Sequence, residues 1–372
     1  MTPTPEIIAA GHLCLDIFPQ MDTVPLASLG TPGKLFETGP MAFSTGGSVG
    51  NTGLALHQIG TPVRLMAGVG DDLIGRAVCD VLERYGQGLS ESVRLLPGEV
   101  SSYTIVLAPQ KVDRIFLHCP GANCTFNASS VDYELLQQVK IFHLGYPALM
   151  PAMYADGGAE LTHTYRRAKA TGVITSMDMA LPDPNGPSGQ ADWAGIFQHT
   201  LPYVDVFVPS IEEILYCLRR PDHEAWRGTV FEHLTLAYLD GLADELLGMG
   251  VAIAGFKLGE YGLFLKAADP ERLAPLHDRL GLDVNEWAQA QVYQQAFQVE
   301  VVGTTGAGDS AYAALLTALL KRLAPAQAAQ MACAVGACNV EAADASSGVR
   351  SWSATEMRLA AGWSLRNESV RD

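Results

Sequence analysis

The chain has 372 residues, 48% of them hydrophobic, enough apolar material for one large α/β domain or two smaller ones, which argues against disorder. Lys+Arg 24 against Asp+Glu 40 leaves a net charge of −16, and no basic run resembles a nucleic-acid footprint; nucleic acid and anionic membranes are poor partners, and any bound anion must rely on backbone dipoles, a metal ion and a few cationic side chains. The seven cysteines include no C-x-x-C, Met1 to Glu6 lacks a basic region before an apolar run, and no stretch is greasy enough to span a bilayer, so reduced thiols in a cytoplasmic protein are expected.

Ile7-Ile8-Ala9-Ala10-Gly11 predicts a short buried strand with Asp16 just past its carboxyl end. The next thirty or so residues, rich in Pro, Gly and Thr, lack helical periodicity. Gly46-Gly47-Ser48 then opens a helix in which Val49, Thr52, Leu56 and Ile59 recur at three- and four-residue steps, closed by Gly60. A strand over 63–67 and a helix over 71–86 follow. Residues 102–108 and 114–119 alternate as two half-exposed strands around a hairpin turn, and with the irregular stretch before Gly46 they predict a small β flap. Beyond it, strands near 141–144, 173–177 and 204–208 alternate with helices such as 160–171, the pattern of a parallel sheet covered on both faces. A further strand pair is read at 251–257 and 262–265. Residues 266–298 are polar and mixed and read as an insertion, and Ser353-Ala354-Thr355-Glu356 reads as a capping box for a last helix.

The segment Gly303-Thr304-Thr305-Gly306-Ala307-Gly308-Asp309-Ser310 carries the most chemistry. Val299, Val301 and Val302 enter it as a strand and the Ala/Leu-rich run from Ala311 to Leu320 leaves it as a helix, so its glycines fall at a strand-to-helix turn. Such a turn holds phosphate: the backbone approaches closely, first-turn N–H groups have no intrahelical partner, and the helix dipole adds positive potential. A carboxylate among those groups repels phosphate, unless Asp309 takes a proton from a hydroxyl attacking it. Asp also caps helices well, and taken alone the segment leaves both readings open. It is not a Walker A loop, lacking the Lys-Ser/Thr ending, and Gly68-Val69-Gly70 with its next glycine at Gly75 is not a dinucleotide fingerprint.

Together, Gly46-Gly47-x-x-x-Asn51-x-x-x-Ala55 with Gly60 after it, Val69-Gly70-Asp71-Asp72-x-x-Gly75, and Thr304-Thr305-Gly306-Ala307-Gly308-Asp309 resemble the PfkB carbohydrate kinases, the ribokinase-like family, over nearly the whole chain from Gly11 to Gly348. The resemblance implies an α/β fold with a central, mostly parallel sheet, helices on both faces and a small β lid: one domain over 1–372, with lid segments at 16–45 and 100–122. It implies an ATP-dependent kinase acting on a hydroxymethyl group of a sugar, with magnesium. Asp309 is then the base, and the amides of Gly306, Ala307 and Gly308 form the anion hole. Asp16, Gly46, Gly47 and Asn51 then hold the sugar. Arg114, from its place in the flap hairpin, is a candidate to face the substrate, the alternative being a solvated hairpin arginine. Lys257-Leu258-Gly259-x-x-Gly262 looks like the segment beside the adenine nucleotide, joined by Thr305, Asn339 and Gly348. Glu213 orders magnesium through water.

Two departures stand out. Ser210 replaces the asparagine of the family's Asn-x-x-Glu, and Gly303 stands where an aspartate helps to bind a monovalent cation, which weakens the case for potassium. A nucleoside kinase of the same fold fits the hydroxyl-binding pair Asp16 and Asn51 equally, and a sensing homologue without turnover is the reading that Ser210 and Gly303 favour. Asp178 and Asp183 are expected to line the cleft, and His12, His57 and His118, without metal spacing, to be structural. Asp309 at a helix N-terminus is expected to have a low pKa. A homodimer through the flap is a family-level expectation.

Overall fold

The computed structural model describes residues 4–21, 24–108 and 115–372. Arg114 lies outside them. Thirteen strands form among the described residues: β1 (Ile7–Gly11), β2 (Cys14–Pro19), β3 (Met41–Gly46), β4 (Val63–Gly70), β5 (Val93–Leu96), β6 (Tyr103–Leu107), β7 (Ile115–Cys119), β8 (Ile141–Gly145), β9 (Ile174–Asp178), β10 (Val206–Phe207), β11 (Ile253–Lys257), β12 (Leu263–Ala267) and β13 (Gln291–Gln294). Nine make one sheet in the order β13-β12-β11-β10-β9-β8-β1-β4-β5. It is parallel from β5 through to β11; β12 alone runs the other way, pairing antiparallel with both β11 and β13.

Period-2 alternation explains how one strand serves two cores. In β1, Ile8 and Ala10 join the apolar cluster on one face, with Phe142, Tyr165 and Phe207, while Ile7 joins the cluster built from the helices Gly47–Ile59, Ala307–Leu320 and Pro325–Asn339 on the other. Those last two helices are Ala-rich and almost wholly buried, since small side chains let backbones pack closely against the sheet. Among the described residues no helix is long and apolar enough to cross a membrane.

A second sheet, β3-β2-β6-β7, is the predicted flap. The stretch before Gly46 supplies two of its strands, and Asp16 sits within β2, paired opposite Ser44 and Thr104, rather than in a loop after β1. The segment 266–298 carries the helix Pro270–Leu280, a short helix Val284–Trp287 and the edge strand β13, with Leu273, Leu276 and Trp287 buried in the main core.

Two local expectations are corrected. Val299 to Val302 form no strand: the N–H groups of Val302 and Gly303 donate to the Val340 carbonyl at 2.8 and 3.2 Å, which pins the segment to a helix end, and Val301 and Val302 are more than half exposed. The last helix, Trp352–Ala360, is capped by Ser351, whose hydroxyl accepts from the Ala354 N–H; Glu356 instead accepts from the Trp352 indole at 2.7 Å, so the box at Ser353 does not form.

Candidate active site

Parallel strands leave their carboxyl ends, and the helix N-termini that follow, on one edge of a sheet, where ligands bind. The carboxyl ends of β8, β9, β10 and β11 converge here, with the flap beside them. In the flap, Gly46-Gly47 at the end of β3 turns directly into the helix Gly47–Ile59. A Cβ on Gly46 would collide with the Asp16 carboxylate and one on Gly47, at φ 80, with the His12 ring and carbonyl, so only glycine lets β1, β2 and this helix meet. One turn on, Asn51 and Thr52 point at the helix Ala307–Leu320, whose N-cap Gly306 is left-handed at φ 73 and whose first turn carries Asp309.

Asp309 is buried, 4% exposed, and three donors hold its carboxylate. Asn51 Nδ2 donates to Oδ2 at 3.1 Å, Thr52 Oγ1 to Oδ1 at 3.0 Å, and Tyr146 Oη to Oδ2 at 2.7 Å. Burial pushes its pKa up, against the pull of Lys257, Tyr146, Asn51 and Thr52. The expected low pKa is therefore corrected: loss of water outweighs the helix terminus and the donors. An upward shift suits a base for an alcohol better.

Lys257 ends β11 beside this helix terminus. Its Nζ donates to both carboxylate oxygens of Asp178, at 2.6 and 2.7 Å. A Cβ on Gly308 would lie 3.5 Å from the same Nζ, so the ammonium stands at the mouth of the Gly306 to Gly308 turn. Burial alone would lower the Lys257 pKa, but Asp178, Glu213 and Asp309 together raise it. Burial also pushes Asp178 and Glu213 up against the pull of Lys257. Three carboxylates around one ammonium make a cluster of formal charge −2 when all are ionised. Glu213 Oε2 accepts from the Ser210 N–H at 2.7 Å while Ser210 Oγ accepts from the Glu213 N–H at 3.3 Å, a capping box that gives Ser210 a role in fixing the helix Ile211–Leu218.

A cleft of about 420 Å³ opens on this cluster, lined by Tyr146, Glu213, Lys257, Gly259, Gly262, Thr304, Gly306, Ala307, Gly308 and Asp309, and extending along Phe297, Val299 and Val301 to Gly336 and Val340. Val299 and Val301 thus form part of an apolar wall. Asn339 stands behind the cleft rather than in it: it is fully buried, and its Nδ2 donates to the Thr305 carbonyl at 2.9 Å. Gly348 packs against the carbonyls of Cys338 and Asn339. Asp183 is exposed and accepts from the Asn185 N–H in a local turn, so of the two aspartates named after β9 only Asp178 faces the site. Gly303 abuts backbone; an added Cβ would lie 2.8 Å from the Ala342 carbonyl oxygen and 2.9 Å from that of Ala343. Tyr146, Thr52 and the lining residue Arg366 had no motif to announce them. The one available signal for Tyr146 is its place immediately after a buried strand end.

On the other side of Asp309 lie the flap and Asp16. Burial pushes Asp16 up to about 6, although Cys14 and Thr104 donate to it. Among the described residues no three His, Cys, Asp or Glu side chains converge to hold a metal directly.

The model of the pfkB family carbohydrate kinases matches residues 12–352, and the chain belongs to that family. It is 26% identical over 223 residues to the probable fructokinase-5 of Arabidopsis thaliana, covering 59% of this chain and 64% of that protein, and 25% identical over 194 residues to the fructokinase-2 of Oryza sativa, covering 51% and 53%. The chain thus spans between about half and two thirds of the length of these plant relatives. Among solved structures, the ribokinase of Arabidopsis thaliana complexed with ribose and ATP superposes with a TM-score of 0.72 at 17% identity over 96% of this chain and 99% of its own. The ATP-bound fructokinase of Xylella fastidiosa gives 0.71 at 17% identity over 96% and 98%. The fold is therefore ribokinase-like.

Proposed function

We propose that this pfkB family member transfers the γ-phosphoryl group of ATP to a hydroxymethyl group of a sugar or sugar-like acceptor. The observation that carries the reading is the placement of Asp309: a buried carboxylate on a helix N-terminus, with Asn51 and the Gly46-Gly47 turn on one side and the open cleft with Lys257 on the other. The relatives named as fructokinases and a ribokinase support a sugar as the acceptor.

In this reading Asp16 and Asn51 Oδ1 accept hydrogen bonds from acceptor hydroxyls, and the triphosphate lies along the cleft with its terminal phosphoryl on the Gly306 to Gly308 amides. The acceptor oxygen forms a bond to the γ-phosphorus while the bond to the β–γ bridging oxygen breaks, ADP leaves with that electron pair, and the hydroxyl proton passes to Asp309. Lys257, already beside Gly308, stabilises charge on the transferring group. Magnesium would be ordered by Glu213 at the acidic cluster and would offset the charge of the phosphates. The small sheet serves as a lid that excludes water. Met41, Phe43, Phe116 and Leu117 on its edge strands, each about half exposed, support a homodimer through it. A coupled assay for ADP release over sugars and nucleosides, with magnesium, tests the reading: acceptor-dependent ADP formation is expected, and none with any acceptor overturns it.

A further inference from the structure

His12 has no part in the mechanism above, yet its surroundings are those of a ligand group. Its backbone is fixed: the His12 carbonyl accepts from the Val49 N–H at 3.1 Å, in the first turn of the helix that carries Asn51. Its ring lies against Gly47, with its centroid 5.3 Å from that of His118 in β7 and 6.3 Å from that of Tyr146, the donor to Asp309. The imidazole therefore stands between the flap and the reacting carboxylate. It is 2% exposed, and among the described residues neither Nδ1 nor Nε2 has a hydrogen-bond partner. Asn51 Oδ1, on the adjoining helix turn, is buried and unpartnered too.

Buried polar atoms are seldom left unmatched unless something else completes them. Burial, with His118 close by, pushes the His12 pKa down to about 3, so the ring is neutral and offers one donor and one acceptor. That pair does not match a carboxylate or phosphate, which needs donors only. It matches a hydroxyl, which both gives and takes a hydrogen bond.

We infer that His12 is a substrate-binding residue that hydrogen-bonds a non-reacting hydroxyl of an uncharged polyol acceptor, completing a wall made by Asp16, Asn51 and the flap. The inference rests on the kinase reading for the word acceptor, but not for binding. His12 selects among polyols by the hydroxyl it meets, and Gly47 is the residue that makes room for its ring.

His12→Phe keeps the ring volume and removes both nitrogens. Binding of a panel of neutral sugars and polyols, and of their monodeoxy analogues, is measured by calorimetry with ADP present, beside the melting temperature without sugar. The expected result is about a tenfold loss of affinity for the best polyol, unchanged ADP affinity, and an unchanged or raised melting temperature. One deoxy analogue binds wild type and variant equally. Equal polyol affinity in wild type and variant overturns the inference, as does a drop in melting temperature with every analogue weakened alike. Binding lost in the variant, when the wild type shows no turnover, keeps the inference and overturns the kinase reading. Turnover with an unchanged acceptor KM does the reverse. A wild type that binds no polyol overturns both.

Discussion

Tyr146 Oη donates to Asp309 Oδ2 across 2.7 Å from a residue whose own backbone sits at φ 65, in the left-handed region that side chains other than glycine rarely adopt. Strain of that kind costs on the order of 1–3 kcal/mol and persists where the surroundings enforce it. Here the Tyr146 N–H is held by the Asp178 carbonyl at 3.1 Å, and Pro147 follows in a tight turn.

Tyr146→Phe removes the donor and leaves Asn51 and Thr52 on the carboxylate. Because the hydrogen bond lowers the Asp309 pKa, its loss raises that pKa, and the base must be ionised to work. The acidic limb of kcat should therefore move to higher pH, with kcat at neutral pH down by about tenfold and ATP affinity unchanged. A pH–rate profile of both proteins checks this.

Asp16 gives a second pH dependence, on binding. Its carboxyl is held at about 6, and in the proposed role it accepts from two hydroxyls only when ionised. Acceptor KM should be constant above that pH and rise as the pH falls through it, with KM for ATP flat over the same window. In Asp16→Asn the acceptor KM is high throughout and this inflection is gone.

The ammonium of Lys257 offsets Asp178, Glu213 and Asp309. Removing one partner of a buried pair costs about 3–5 kcal/mol, so Lys257→Met should melt well below wild type. Lys257→Met with Asp178→Asn should recover most of that stability, yet turn over about 10²- to 10³-fold more slowly. Thermal melts paired with kcat separate the two roles.

At Gly303 the constraint is space. An aspartate there would press its Cβ against the carbonyls of Ala342 and Ala343, and overpacking of this kind costs about 1–3 kcal/mol. Gly303→Asp should therefore lower the melting temperature without creating a potassium requirement. In the wild type, exchanging potassium for sodium should leave kcat nearly unchanged, because position 303 offers no carboxylate to a cation.

What the sequence shows depends on how local the signal is. The run Ile7–Gly11 and the helix Gly47–Ile59, closed by Gly60 at φ 98, stand where their periodicity places them, because apolar spacing and one left-handed glycine decide them. The valines at 299, 301 and 302 mislead for a physical reason: β-branched residues mark a strand only when they pack on a sheet, whereas Val299 and Val301 line an open cleft and Val302 is exposed. The strand Val93–Leu96 is a short edge with two exposed residues, too brief to alternate visibly. Asp309 is legible because glycines and a helix surround it in sequence. Tyr146 is not: it reaches Asp309 only through the parallel register of β8, β1 and the helices above them, 163 residues away along the chain. The pKa of Asp309 is likewise set by burial that only the tertiary structure creates.

Asp309→Asn tests the central claim most directly, since it keeps the side-chain volume and removes the proton acceptor. ADP formation with the best acceptor should fall by about 10²- to 10⁴-fold, with ATP binding, measured by calorimetry, unchanged. Turnover within a few-fold of wild type would contradict the account, for then the carboxylate held by Asn51, Thr52 and Tyr146 is not the base.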